Sequence, residues 1–85
     1  MVSVQSGRHD VLFVRTAGEL HAFGNLCPHK MCPLADGKLE NGVITCGGHR
    51  WSFDAVTGRG INPRGATLRV YALRVVDGRI EADLS

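Results

Sequence analysis

Residues 71–84 read Tyr71-Ala72-Leu73-Arg74-Val75-Val76-Asp77-Gly78-Arg79-Ile80-Glu81-Ala82-Asp83-Leu84. Asp-Gly between two β-prone runs is among the strongest short-range hairpin signals, because a two-residue turn needs positions that tolerate positive φ. After the turn, Ile80, Ala82 and Leu84 alternate with Arg79, Glu81 and Asp83, the period of a half-buried strand. The same grammar recurs toward the N-terminus. Asn41-Gly42 precedes Val43-Ile44-Thr45-Cys46, and Thr16-Ala17-Gly18-Glu19 separates Val11-Leu12-Phe13-Val14-Arg15 from Leu20-His21-Ala22-Phe23. No window of a dozen residues keeps a 3.6-residue period without Gly or Pro interrupting it. The reading is a single all-β, antiparallel domain over residues 1–85, without repeats or linkers.

One segment resists that pattern. Gly24 to Gly42 carries Pro28, Pro33, Gly37 and two cysteines, with short apolar pieces and no period. A loop that long in a small domain is functional, or something holds it together.

The composition narrows what that something is. The chain has 85 residues, 44% apolar and 21% charged, which is a globular balance and argues against wholesale disorder. Domains of this size bury a limited core and often depend on a disulfide, a metal or a partner. Three cysteines exclude a fully paired disulfide framework within one chain. Neither a signal-peptide pattern nor a spanning run is visible; the longest apolar run near the start is Val11-Leu12-Phe13-Val14. The expected compartment is therefore a reducing cytoplasm, where thiols bind metals more often than they pair. A net charge of +2 is too weak to argue for nucleic acid. Arg64, Arg69, Arg74 and Arg79 recur every five positions, and odd spacing in strands alternates faces rather than building a stripe.

Two short pairs carry the chemistry: Cys27-Pro28-His29 and Cys46-Gly47-Gly48-His49, with sixteen residues between His29 and Cys46. Thiolate and imidazole are the softer ligands that iron and zinc favour. Structural zinc fingers usually keep cysteines in one arm and histidines in the other, whereas here each arm brings one of each. A binuclear iron–sulfur centre with two His replacing two Cys on one iron needs that arrangement. A structural Cys2His2 zinc module remains the alternative from the residues alone. No nucleophile–base set remains once His29 and His49 are committed to metal, and no dinucleotide fingerprint follows a strand. The chain is expected not to be an enzyme.

The pattern C-x-H-x16-C-x-x-H resembles the signature of Rieske [2Fe–2S] proteins. The likeness continues through Pro33-Leu34-Ala35-Asp36-Gly37, Gly42-Val43-Ile44-Thr45-Cys46 and Trp51-Ser52-Phe53-Asp54, from about Leu12 to Leu84. Within the family, His49-Arg50-Trp51-Ser52-Phe53 and then Thr57-Gly58-Arg59-Gly60-Ile61-Asn62-Pro63 look most like the Rieske ferredoxins of toluene monooxygenase systems. The resemblance implies the Rieske fold, small antiparallel sheets with a two-loop cluster-binding part at about residues 25–65. It implies that Cys27 and Cys46 hold the inner iron and that His29 and His49 hold the outer one, near the protein tip. It also makes Trp51 and Pro63 the residues shielding the cluster. His9 and His21 read as solvated or surface residues.

Three departures from the wider family carry expectations. Cys32 stands where respiratory Rieske proteins place half of a disulfide, but the partner position is Gly48, so that bond cannot form. Trp51 and Phe53 occupy positions where those proteins carry Ser and Tyr hydroxyls donating to cluster sulfur. Lost donors lower the reduction potential; Lys30, Arg50, Arg59 and Arg64 push the other way but are screened. The start, about ten residues before the first clear strand, suggests that an N-terminal strand of the family's fold is missing. The implied function is one-electron transfer, from an NADH-dependent flavin and iron–sulfur reductase to a terminal diiron monooxygenase. Contacts would be transient, made by a monomer, without nucleic acid or membrane. A ferredoxin or Rieske domain of a ring-hydroxylating dioxygenase system is the alternative.

Overall fold

Two faces of one sheet are buried, which is why Val11-Leu12-Phe13-Val14 reads as an unbroken apolar run. The computed structural model describes residues 1–28, 33–47 and 51–84. The first sheet consists of β1 (Val2–Ser6), β2 (His9–Thr16), β3 (Glu19–Gly24) and β8 (Val70–Tyr71), in the order β1-β2-β3-β8, with every pair antiparallel. A second sheet follows chain order: β4 (Lys38–Glu40), β5 (Val43–Thr45), β6 (Ser52–Asp54) and β7 (Gly60–Asn62). A separate hairpin of β9 (Leu73–Val76) and β10 (Arg79–Ala82) completes the strands of the described residues. One turn of 3-10 helix, Leu34–Asp36, lies between the first and second sheets in sequence. Among the described residues no helix is long and apolar enough to cross a membrane.

Leu12, Val14 and Phe23 of the first sheet meet Ile44, Phe53, Leu34, Ala55 and Leu68 in the main core. On the opposite face Val11, Ala22 and Tyr71 form a smaller core, against which Leu73, Ala82 and Leu84 pack. The first sheet is thus the middle layer. The three sequence-predicted hairpins turn on paired positive φ values: 52° and 79° at Ala17 and Gly18, 51° and 74° at Asn41 and Gly42, 50° and 77° at Asp77 and Gly78. All three are turns of the kind that matches strand twist.

The stretch before Val11 is not strandless. Val2–Ser6 pairs along its whole length with β2, Val2 opposite Phe13 and Ser6 opposite His9. Its residues are all exposed, as suits an edge strand whose polar Ser3, Gln5 and Ser6 give little apolar signal.

The turn after β6 is built by Asp54, whose carboxylate accepts the Val56 and Thr57 N–H groups at 2.7 and 3.0 Å. Those bonds, the Val56 one foremost, hold its carboxyl below the usual value of 3.8. A depressed carboxyl stabilises the fold above its unfolded pKa, and the contribution disappears as pH falls through the folded value. Asp54→Ala should therefore lower the urea midpoint at neutral pH, with the gap to wild type closing in acid well below 3.8. A gap that stays constant into acid would show that the turn does not depend on the charge.

Candidate metal centre

The first cysteine loop leaves the sheet at the end of β3 and is closed at its base. Leu26 and Pro33 form an antiparallel bridge, so Cys27 opens a loop whose other end returns beside it. Asn25, just ahead of the bridge, is 2% exposed, the one buried polar residue among those described. Its Nδ2 donates to Asp10 Oδ2 at 3.1 Å, and its Oδ1 accepts the Ala35 N–H at 3.0 Å. Its backbone N–H donates to the Asp10 carbonyl at 2.9 Å, and its carbonyl accepts the Leu34 N–H. A buried amide with every group engaged is a fixed point rather than a burden.

The second loop is a hairpin connection between β5 and β6. Thr45 pairs with Ser52, and the Cys46 N–H donates to the Trp51 carbonyl at 2.8 Å, which closes the loop above the pair. The bases of the two loops touch. A Cβ on Gly37 would stand 2.0 Å from the Thr45 carbonyl oxygen, and one on Gly47 would stand 3.3 Å from the Asp36 carbonyl oxygen. Only bare backbone lets the 3-10 turn that ends the first loop lie against the strand that begins the second.

Cys27 and Cys46 are 0% and 1% exposed and belong to the same buried cluster as Phe23, Leu34, Ile44 and Phe53. Anionic sulfur taken out of water needs a positive centre to offset its desolvation, which ferric iron supplies. The donor set therefore fits a cluster held between the two loops. His29, His49 and Cys32 lie outside the described residues, as do Lys30 and Arg50. Among the described residues no three His, Cys, Asp or Glu side chains come together. Trp51 is half-buried and packs on the cluster of residues that holds both cysteines. Pro63 is half-buried in a separate turn, where the Gly60 N–H donates to the Ala66 carbonyl at 2.7 Å and Arg59 bridges to Thr67. Beside that turn Arg59 and Arg64 line an open hollow of about 510 Å³ together with Ile61 and Thr67.

Two histidines sit deeper than their sequence neighbours suggest. The His21 side chain is 19% exposed and stacks on Phe23, ring centroids 6.3 Å apart. Parity opposite to Leu20 and Ala22 assigns it to a wet face, but both faces of β3 are covered, so neither parity is fully exposed. His9 Nδ1 lies 3.1 Å from the Tyr71 hydroxyl, joining β2 to β8. Asn25 was not legible as a structural residue at all: an Asn after Gly at a strand end looks like any turn residue.

Two buried cysteines at the bases of two touching loops, presented by a small all-β frame, supply a thiolate pair that suits an iron–sulfur protein. The chain belongs to the Rieske [2Fe–2S] domain family, whose model matches residues 1–72, and its cofactor is that family's cluster. It is 41% identical over 75 residues to the ferredoxin component of the alkene monooxygenase system of Xanthobacter autotrophicus, covering 87% of this chain and 62% of that protein. It is 32% identical over 80 residues to the anthranilate 1,2-dioxygenase ferredoxin subunit of Burkholderia cepacia, covering 93% and 74%. Among solved structures, Sphingomonas yanoikuyae B1 ferredoxin superposes with a TM-score of 0.87 at 28% identity, over 99% of this chain and 84% of that one. The chain therefore spans less than two thirds of the Xanthobacter protein's length. Family membership leaves the zinc-module alternative without support.

Proposed function

We propose that this chain is a one-electron carrier of the cytoplasm, placed between an NADH-dependent flavin and iron–sulfur reductase and a terminal diiron monooxygenase. Cys27 and Cys46 hold the inner iron, His29 and His49 the outer one, within a cluster-binding part at about residues 25–65. The cluster supplies a single reversible electron. The protein's own residues bury the thiolates, close each loop with backbone bonds and keep water off the inner face, Trp51 by packing there and Pro63 from the neighbouring turn. The observation that carries the reading is the pair of buried cysteines at touching loop bases. The likeness to a monooxygenase ferredoxin component supports the choice of acceptor. The likeness to a dioxygenase ferredoxin subunit favours a second reading, with a ring-hydroxylating dioxygenase as acceptor.

Phe53 is fully buried among apolar residues, and neither it nor Trp51 brings a hydroxyl to the centre. The potential should accordingly lie in the lower, negative part of the roughly −150 to +300 mV span of Rieske centres. Redox titration of the purified protein measures it; a strongly positive value overturns the argument from missing hydroxyls. The acceptor is settled by stopped-flow reoxidation of the reduced protein with a diiron hydroxylase and, separately, with a ring-hydroxylating dioxygenase. Arg59 and Arg64 suit an acidic partner face, so the productive reaction should slow as salt rises. Reoxidation by neither acceptor above the rate in buffer would overturn the carrier reading. The same experiment at low protein concentration tests that the carrier works as a monomer.

A further inference from the structure

We infer that Asn25, oriented by Asp10, is the positioning residue of the first cluster loop, and that this pair sets where Cys27 is held. The inference rests on the reading of Cys27 as a cluster ligand. Asn25 is the only described residue that ties the loop's departing end, its returning end and the neighbouring strand through one side chain. Its two amide atoms do different jobs. Oδ1 can only accept, and it holds the returning end through the Ala35 N–H; Nδ2 can only donate, and it holds β2 through Asp10 Oδ2. Were the amide turned over, both contacts would set donor against donor or acceptor against acceptor. Asp10 therefore fixes the orientation, and the backbone bonds from Asn25 N–H to the Asp10 carbonyl and from Leu34 N–H to the Asn25 carbonyl lock the frame around it.

The chain then has little freedom before it reaches the metal. Leu26 is bridged to Pro33, and Cys27 comes next, fully buried. Displacing the Asn25 amide moves the origin of the loop, two residues from the thiolate. Groups that orient a ligand without touching the metal typically govern retention by ten- to a hundredfold when lost.

A polarity swap tests this on the cluster-loaded protein. Asn25→Asp keeps the size and the acceptor for Ala35 but sets a second carboxylate oxygen against Asp10, now as a repulsive contact. Adding Asp10→Asn reverses the direction of the bond: the amide on position 10 donates to the carboxylate on position 25, and both contacts return. Cluster loss is followed as bleaching of visible absorption with a chelator present, and thiolate geometry through the visible circular dichroism bands, at temperatures well below unfolding. Asn25→Asp should bleach roughly tenfold faster or more and shift the dichroism bands, while the double variant should return both close to wild type. Asp10→Ala, which leaves the loop untouched and removes only the acceptor on β2, should shift the bands in the same sense. It also serves if Asn25→Asp does not fold. Bands and bleaching rates unchanged in Asp10→Ala, or a double variant no better than Asn25→Asp, would overturn the inference. If the wild-type protein itself lacks the Rieske spectrum, the reading of the site fails instead, so the two failures are told apart.

Discussion

Cys46→Ser should yield a protein with no Rieske absorption and no reduced-state EPR signal, with cluster iron down by at least about tenfold. The thiol is 1% exposed and lies where β5 hands over to the second loop, its N–H fixed to the Trp51 carbonyl at 2.8 Å. Serine oxygen is a harder ligand than sulfur and matches iron–sulfur chemistry poorly. Left without iron, its smaller, more polar hydroxyl stands in the buried cluster with Ile44, Phe53 and Leu34, which it fills less well than sulfur. The substitution therefore removes a ligand and weakens the core together. Cys27→Ser should behave alike, since Cys27 is as deeply buried in the same cluster. Cys32→Ser is the contrast: with Gly48 at the position of a disulfide partner, the third cysteine is not needed for the centre and its variant should keep the spectrum. Iron analysis and EPR of the three proteins, prepared in parallel, decide the matter. A Cys46→Ser protein with full Rieske spectrum, or a Cys32→Ser protein without one, would contradict the ligand assignment.

How much of this was legible depends on where each residue keeps its information. The turns were readable because Asn41-Gly42 and Asp77-Gly78 are local: the positive φ they adopt is a property of those two residues. The family was readable because metal chemistry limits which side chains can serve, so the spacing of Cys27, His29, Cys46 and His49 is itself a constraint; of these four the structure describes Cys27 and Cys46 and places both in one buried cluster. Long-range packing was not. Nothing near His21 announces that both faces of β3 are covered, one by the second sheet and the other by Leu73, Ala82 and Leu84 of the C-terminal segment. Strand β1 was missed for the converse reason, since an exposed edge needs no apolar alternation to be held by β2. Asn25 lies between these cases. Its role comes from Asp10, fifteen residues earlier, and from Ala35, ten residues later, and no local rule joins those three.

The same logic gives Gly37 the second large effect. Its φ of −87° is open to any residue, so conformational freedom does not explain the glycine. Space does. A methyl there would lie 2.0 Å from the Thr45 carbonyl oxygen, 3.1 Å from the Thr45 carbonyl carbon and 3.2 Å from the Leu34 carbonyl oxygen. All three are backbone atoms, and none can swing aside as a side-chain tip would. Thr45 sits in β5, held by Lys38 on one side and Ser52 on the other, so yielding means moving the strand that delivers Cys46. Gly37 thus sets how closely the loop of Cys27 and the loop of Cys46 approach, a distance that a cluster held by both loops would have to match. Gly37→Ala should destabilise the protein by about 2–4 kcal/mol, as overpacking against rigid backbone does at its upper end, and should lower cluster content. Gly65→Ala is the control: a Cβ there meets nothing within 4 Å, and its cost should stay within about 0.5 kcal/mol. Denaturant midpoints and iron content of the two variants measure both effects. Equal behaviour of Gly37→Ala and Gly65→Ala would mean that the loop bases can part by more than an ångström without loss, and that the cluster, not the backbone contact, sets their spacing.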